Sequence, residues 1–127
     1  MIKLKDLLNE RVDYQDIASQ IVKSYKLKSK IKFGVGKNKG DYEWKSDTIN
    51  LRPSYSSIKE FLMTVLHEIQ HALQRKKMGA SKYEKEYQKA GDKAVNRGRD
   101  FHDDNSFEEA AESWAEKNLS KWVKKYK

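Results

Sequence analysis

His67-Glu68-Ile69-Gln70-His71 is the most informative stretch of this 127-residue chain, and it contains two of the chain's three histidines. Residues four apart on an α-helix lie one above the other on the same face, so both imidazoles can reach one cation. Glu68 then lies beside them, close enough to act on a water bound to that cation. The motif therefore predicts a helical metal site with a carboxylate ready to accept a proton.

The residues on both sides of this stretch have the pattern of an amphipathic helix. Ser57 with Glu60 three residues later is typical of a capping box, and a basic last turn followed by Gly79 is typical of a helix end. We therefore expect a helix from Ile58 to just before Gly79. Its apolar residues recur three or four positions apart, at Ile58, Phe61, Leu62, Val65, Leu66, Ile69, Ala72 and Leu73.

A second periodic segment near the end of the chain predicts another helix, from about Ser106 to Lys127. Asn105 is a good N-cap, and Glu108 lies three residues on, as in a capping box. The first turns combine carboxylates with small residues. Because small residues let two helices approach closely, this segment is suited to bridging a metal to the first helix. Its apolar residues are Phe107, Ala110, Ala111, Trp114, Ala115, Leu119, Trp122, Val123 and Tyr126.

An H-E-x-x-H helix followed by an acidic helix resembles the gluzincin type of zincin metallopeptidase and is similar to small phage-borne and prokaryotic metallopeptidase domains. The resemblance covers about residues 31 to 120, and the H-E-x-x-H motif is its specific element. It implies an α+β fold in which a small antiparallel sheet packs on the H-E-x-x-H helix and a C-terminal helix. It also implies a peptide or protein substrate, hydrolysed by a metal-activated water.

The same resemblance assigns roles to particular residues. Zn²⁺ would be held by His67, His71 and Glu108, and Glu112 would orient a ligand histidine from behind. Glu68 would be the general base that takes the proton of the metal-bound water. The expected cofactor is therefore Zn²⁺.

Some of these assignments have rivals in the sequence. Glu109 competes with Glu108 for the third ligand position, and both are also ordinary acids for the first turn of a helix. His102 has three interpretations: a third ligand, a catalytic hydrogen-bond donor to the transition state, or a solvated loop residue. Tyr83 and Tyr87 are either phenols for a developing oxyanion or core residues at helical spacing.

Alternation of apolar and polar residues, together with turn residues, predicts the remaining elements. We expect strands over 31–35, 42–44 and 48–51, with a hairpin turn at 45–47. The strand at 48–51 leads into the metal-binding helix, so it is expected to be the edge strand on which an extended peptide docks. Residues 1–30 are expected to form an N-terminal helical segment, with a short turn at 4–9 and a helix at 13–25. The stretch 91–104 is expected to be a loop.

Composition limits the class of protein. The length favours a single domain over 1–127, and the chain has no cysteine and no apolar stretch of membrane-spanning length. We therefore expect a monomeric cytoplasmic protein without membrane association, compatible with a phage-encoded protein acting in its host cell.

The net charge of +8 supports an alternative class of function. Basic residues cluster over 23–32, 75–99 and 121–127, which would allow weak nucleic-acid association or a preference for acidic partners. A catalytically silent zincin-like binding protein is a further alternative. The intact Glu68 argues against it, because a site kept only for architecture needs no general base.

Overall fold

The protein's structure, a computed structural model, describes residues 3–34 and 39–126, with side chains from residue 14 onward. Within that part of the chain, helices and strands combine into an α+β arrangement, as predicted. The elements in chain order are α1 (Lys3–Ser24), β1 (Lys30–Phe33), β2 (Gly40–Glu43), β3 (Thr48–Leu51), α2 (Ile58–Met78), α3 (Ala80–Asn96) and α4 (Ser106–Tyr126).

The N-terminal helical segment is one continuous helix, α1, and not a short turn followed by a separate helix. The predicted strand at 31–35 corresponds to β1, which begins one residue earlier and ends at Phe33, and Val35 lies outside the described residues. The predicted strand at 42–44 corresponds to β2, which begins two residues earlier and ends at Glu43. None of the described helices is both long enough and apolar enough to cross a membrane.

The sheet differs from the prediction in topology. Its strand order is β1-β3-β2: β3 pairs antiparallel with β2 across the predicted hairpin turn and parallel with β1. The expectation of a purely antiparallel sheet is therefore wrong. The expectation that 48–51 is the edge strand is wrong as well, because β3 is central and all four of its residues are buried. The hairpin pairs β2 with one edge of β3, and β1 pairs with the other edge, so β3 lies between them.

The core lies where α2 meets the sheet, α1 and α4. The apolar stripe predicted for α2 is buried, with Phe61, Leu62, Val65, Leu66 and Ile69 fully enclosed. Ala111 and Ala115 on α4 are fully buried too, which allows α2 and α4 to pack closely, as expected, whereas Ala110 is exposed. The remaining buried members of this core are Ile17, Ala18, Ile21, Val22, Leu27, Ile49, Leu51, Ala72, Ala115 and Trp122.

The start of α2 is fixed by local hydrogen bonds. The Ser57 Oγ accepts a hydrogen bond from the Glu60 backbone N–H at 3.1 Å, which is the predicted N-cap. The Glu60 carboxylate reaches back to the N–H of Ser56 at 3.0 Å, one residue before the cap. At the other end, Gly79 adopts φ +88°, a conformation that suits glycine, and α2 stops there as predicted.

Two predictions about the segment before α4 are corrected. The stretch from residue 91 is not a loop throughout, because α3 continues to Asn96 with Gly91 buried inside it. Asn105 does cap α4, accepting from the N–H of Phe107 at 2.8 Å. The predicted capping-box partner, Glu108, bonds to the histidines of α2 instead.

Candidate metal centre

Three predicted ligands converge between α2 and α4. The Nε2 atom of His67 lies 2.8 Å from Oε1 of Glu108, and the Nε2 atom of His71 lies 2.9 Å from the same oxygen. Their potential donor atoms all lie within 4.8 Å of one another. Because one turn separates the histidines on α2 and the small residues of α4 allow close packing, the two helices bring two imidazoles and one carboxylate together.

The orientation of both imidazoles fits a metal site. His67 directs Nδ1 at the carboxylate of Glu112, 3.0 Å away, and His71 directs Nδ1 at the side-chain oxygen of Gln74, 2.9 Å away. An imidazole whose Nδ1–H is held by an acceptor presents the Nε2 lone pair to a metal. Two nitrogens and a carboxylate oxygen form a donor set that suits Zn²⁺ and leaves a position for water.

Taken by themselves, the protein groups favour an ion pair at this place. Burial disfavours the charged form of His67, but the hydrogen bond to Glu108, the charge of Glu68 and the contact with Glu112 outweigh it and raise the pKa of His67 to about 9. Burial would raise the pKa of Glu108, yet its hydrogen bonds to His67 and His71 lower it below its ordinary value. A metal ion must therefore displace a proton here, so its binding would release protons.

Glu68 lies beside the three converging groups and does not join them. Its side chain is buried, at 7% exposure, and burial raises its pKa to about 7 against the opposing effect of His67 and His71. A carboxylate with a pKa near neutrality is suited to accept and return a proton. β2 approaches it closely at Gly40, where an added Cβ would lie 3.4 Å from a Glu68 oxygen and 2.5 Å from the Thr64 methyl.

α3 supplies two phenols to the same cluster. The hydroxyl of Tyr83 lies 3.2 Å from Nδ1 of His71, and the hydroxyl of Tyr87 donates a short hydrogen bond to Oε2 of Glu108. Burial and the Glu108 charge raise the pKa of both phenols, so both stay protonated. Tyr87 donates to Glu108, whereas the Tyr83 oxygen faces the same Nδ1–H that His71 directs at Gln74. Their spacing of four residues equals that of the histidines, and the sequence offered both either as phenols for a developing oxyanion or as core residues.

His102 and the rival acid Glu109 take different places. The Nε2 atom of His102 lies 3.2 Å from Oε2 of Glu108, but the side chain is 66% exposed at the mouth of the cleft and is not one of the three converging groups. Glu109 is exposed on α4. The geometry therefore favours Glu108 as the third donor and leaves His102 within reach of a bound substrate.

The cluster opens into a cleft of about 870 Å³ between β2, α2, α3 and α4. Among the described residues that line it, Lys39 is the single lysine or arginine, and it pairs with Glu60 at 2.9 Å. The wall is thus acidic in a protein whose net charge is +8. Its carboxylates are Asp41, Glu60, Glu68, Glu84, Asp103, Glu108 and Glu112.

Comparison with known proteins adds no relative that shares this site. No protein-family model matches the chain, and neither a curated protein nor a solved structure matches it. The function of the site has to be inferred from its own geometry and chemistry.

Proposed function

We propose that the protein is a zinc-dependent metallopeptidase of the gluzincin type, with Zn²⁺ held by His67, His71 and Glu108. The observation that supports this most directly is the convergence of both histidines on one carboxylate oxygen. The Nε2 atoms of His67 and His71 lie 2.8 and 2.9 Å from Oε1 of Glu108 on the facing helix. Glu68, buried beside them without being a donor, has the position that a general base requires.

The protein groups divide the chemistry among them. Zinc, held by the three donors, would supply a water of lowered pKa and would polarise the scissile carbonyl. Glu68 would take a proton from the water whose oxygen bonds to the carbonyl carbon, and would return it to the amine nitrogen as the C–N bond breaks. Glu112 holds His67 in the tautomer that exposes Nε2. His102, at the mouth, is placed to donate a hydrogen bond to the carbonyl oxygen of the substrate as negative charge develops on it.

The substrate is best placed along β2. An extended peptide gains affinity by pairing with a free strand edge, and β2 is the edge strand whose residues Gly40, Asp41 and Tyr42 line the cleft. β3, the strand expected from sequence to take this role, has partners on both sides. We therefore infer that the peptide lies antiparallel or parallel to β2 and crosses the metal centre.

The charge of the cleft bears on the alternative functions. A wall with seven carboxylates and one paired lysine repels phosphates, so nucleic acid is disfavoured as an occupant of this cleft. The same wall suits neutral or basic peptides. A catalytically silent protein would have no use for the buried carboxylate of Glu68 beside the donors, which supports hydrolysis over simple binding.

Metal analysis combined with a peptide-library cleavage assay tests the proposal. We expect about one Zn²⁺ per chain and cleavage that chelation abolishes and zinc restores. Glu68→Gln is the matched control: it should keep zinc and the fold while hydrolysis falls by about two to four orders of magnitude.

Each other outcome points to a different function. If the protein binds no zinc, the cluster of His67, His71 and Glu108 is an ion-pair network and not a metal site. A protein that binds zinc but cleaves nothing in the library would support the silent zincin-like alternative. Hydrolysis that survives in Glu68→Gln would contradict the mechanism.

A further inference from the structure

We propose that Gly91 and Phe101 position His102 at the mouth of the cleft, and that Gly91 is required because its missing side chain makes room for the Phe101 ring. This inference rests on the proposed metallopeptidase function and adds two positioning residues to the three proposed ligands. The segment concerned, which we call the His102 loop, comprises residues 97–105, between α3 and α4.

The contact between Gly91 and Phe101 leaves no space for a side chain. A Cβ added to Gly91 would lie 2.3, 2.4 and 2.6 Å from three atoms of the Phe101 ring, far inside van der Waals contact. The ring also packs near Tyr87, with centroids 6.3 Å apart. A glycine inside a helix is less favourable than alanine, and this close approach gives a physical reason for its presence in α3.

A second attachment fixes the other end of the His102 loop. Asn105 is fully buried, and its Nδ2 donates to the backbone oxygen of Tyr87 at 3.1 Å. Within the loop, Oδ1 of Asp100 accepts hydrogen bonds from the backbone N–H groups of His102 and Asp103, at 2.9 and 2.7 Å. The backbone of His102 is thus held between two points of attachment to α3.

His102 needs such support because little else fixes its side chain. The imidazole is two-thirds exposed, and its contacts are to the carboxylates of Asp103 and Glu108, each at 3.2 Å. An exposed side chain keeps a fixed position only if its backbone is fixed. Since α3 also carries the phenols that contact His71 and Glu108, one helix sets the distance between the metal centre and His102.

The test compares Gly91→Ala and Phe101→Ala with His102→Ala in the full-length, zinc-loaded protein. Misplacing a group by about 1 Å can cost up to about 100-fold in rate. We expect each positioning variant to lower kcat about tenfold or more with zinc content unchanged. KM should stay unchanged in Gly91→Ala, the variant that keeps the cleft-lining Phe101 side chain. In a His102→Ala background, Gly91→Ala should cause no further loss. Gly91→Ala combined with Phe101→Ala should be no worse than Phe101→Ala alone, because the clash is absent.

Nuclear magnetic resonance supplies a measurement that does not depend on activity. The chain has three histidines, so the His102 imidazole signal is assigned by its absence in His102→Ala. Gly91→Ala should shift this signal and leave those of His67 and His71 in place, while circular dichroism confirms the fold. An unmoved His102 signal, or equal losses of kcat with and without His102, would overturn the proposal. A wild-type protein that cleaves nothing would contradict the proposed function itself.

Discussion

α2 and the segment that follows it contribute to the site in different ways. α2 carries His67, Glu68 and His71 on a buried, capped and strictly periodic helix. The next segment, 79–105, is polar and largely exposed, and its helix α3 buries three residues. It nevertheless supplies both phenols and His102. The two histidines thus share a face through local helix geometry, whereas the phenols and His102 reach the site through tertiary contacts.

The largest effect should come from removing the donor that links α2 to α4. Glu108→Ala should weaken zinc binding by more than the about 100-fold that loss of a supporting partner costs, because a direct ligand is lost. Glu109→Ala, at the exposed neighbouring position, is the matched control and should bind zinc as the wild type does. Titration against a chelator of known affinity measures both. If Glu109→Ala weakens zinc binding more than Glu108→Ala does, the third ligand is Glu109 and not Glu108.

Removing single hydroxyls from α3 should have the next largest effect. Tyr87→Phe and Tyr83→Phe keep the ring packing but remove the hydrogen bonds to Glu108 and His71, so zinc affinity should fall about 10- to 100-fold. Tyr25→Phe is the control, because its hydroxyl contacts Asn118 and Trp122 away from the site. Zinc affinity unchanged in both α3 variants would make these tyrosines plain core residues and remove the distinction between the two regions.

The sequence predicted the elements that have strong local signals. α2 begins at Ile58 and ends before Gly79 as its periodicity and caps indicated, and α4 begins directly after its cap, Asn105. Helix geometry also predicted the pairing of the two histidines, because i and i+4 share a face. A few neighbouring residues determine these features by themselves. Glu108 lies 37 residues beyond His71, so its place beside the histidines was expected from the resemblance and not from local geometry.

The rest depended on contacts between residues distant in the chain. Gly91 indicated a helix end, and only its contact with Phe101, ten residues on, explains why α3 continues through it. The order of the strands could not be read from alternation, since a four-residue strand looks the same whether it has one partner or two. Gln74 behind His71 was missed because its role depends on the orientation of an imidazole.

A smaller effect is expected when the peptide substrate is changed instead of the protein. If the peptide pairs with β2, N-methylating a single backbone amide next to the scissile bond should remove one hydrogen bond worth about 1 kcal/mol and raise KM about fivefold. The same methyl group placed at the far end of the peptide is the control and should change little. Steady-state kinetics with the two peptides measures the difference. Equal KM values would mean that the substrate does not use the edge of β2.

The smallest expected effect concerns Glu60, whose hydrogen bond to the Ser56 backbone helps to fix the start of α2. The hydrogen bond from the Ser56 backbone and the ion pair with Lys39 lower the pKa of Glu60 from 4.5 to about 2. A carboxyl whose pKa is depressed on folding stabilises the protein above its unfolded pKa, and this contribution is lost as the pH falls towards 2. Glu60→Gln should therefore lower the melting temperature slightly above about pH 5 and by much less near pH 2. Thermal unfolding of the metal-free protein, with chelator present, measures this without interference from zinc. Glu84→Gln, at an exposed position of α3 on the wall of the cleft, is the control. A gap that is as large at pH 2 as above pH 5 would show that Glu60 stabilises α2 by packing and not by charge.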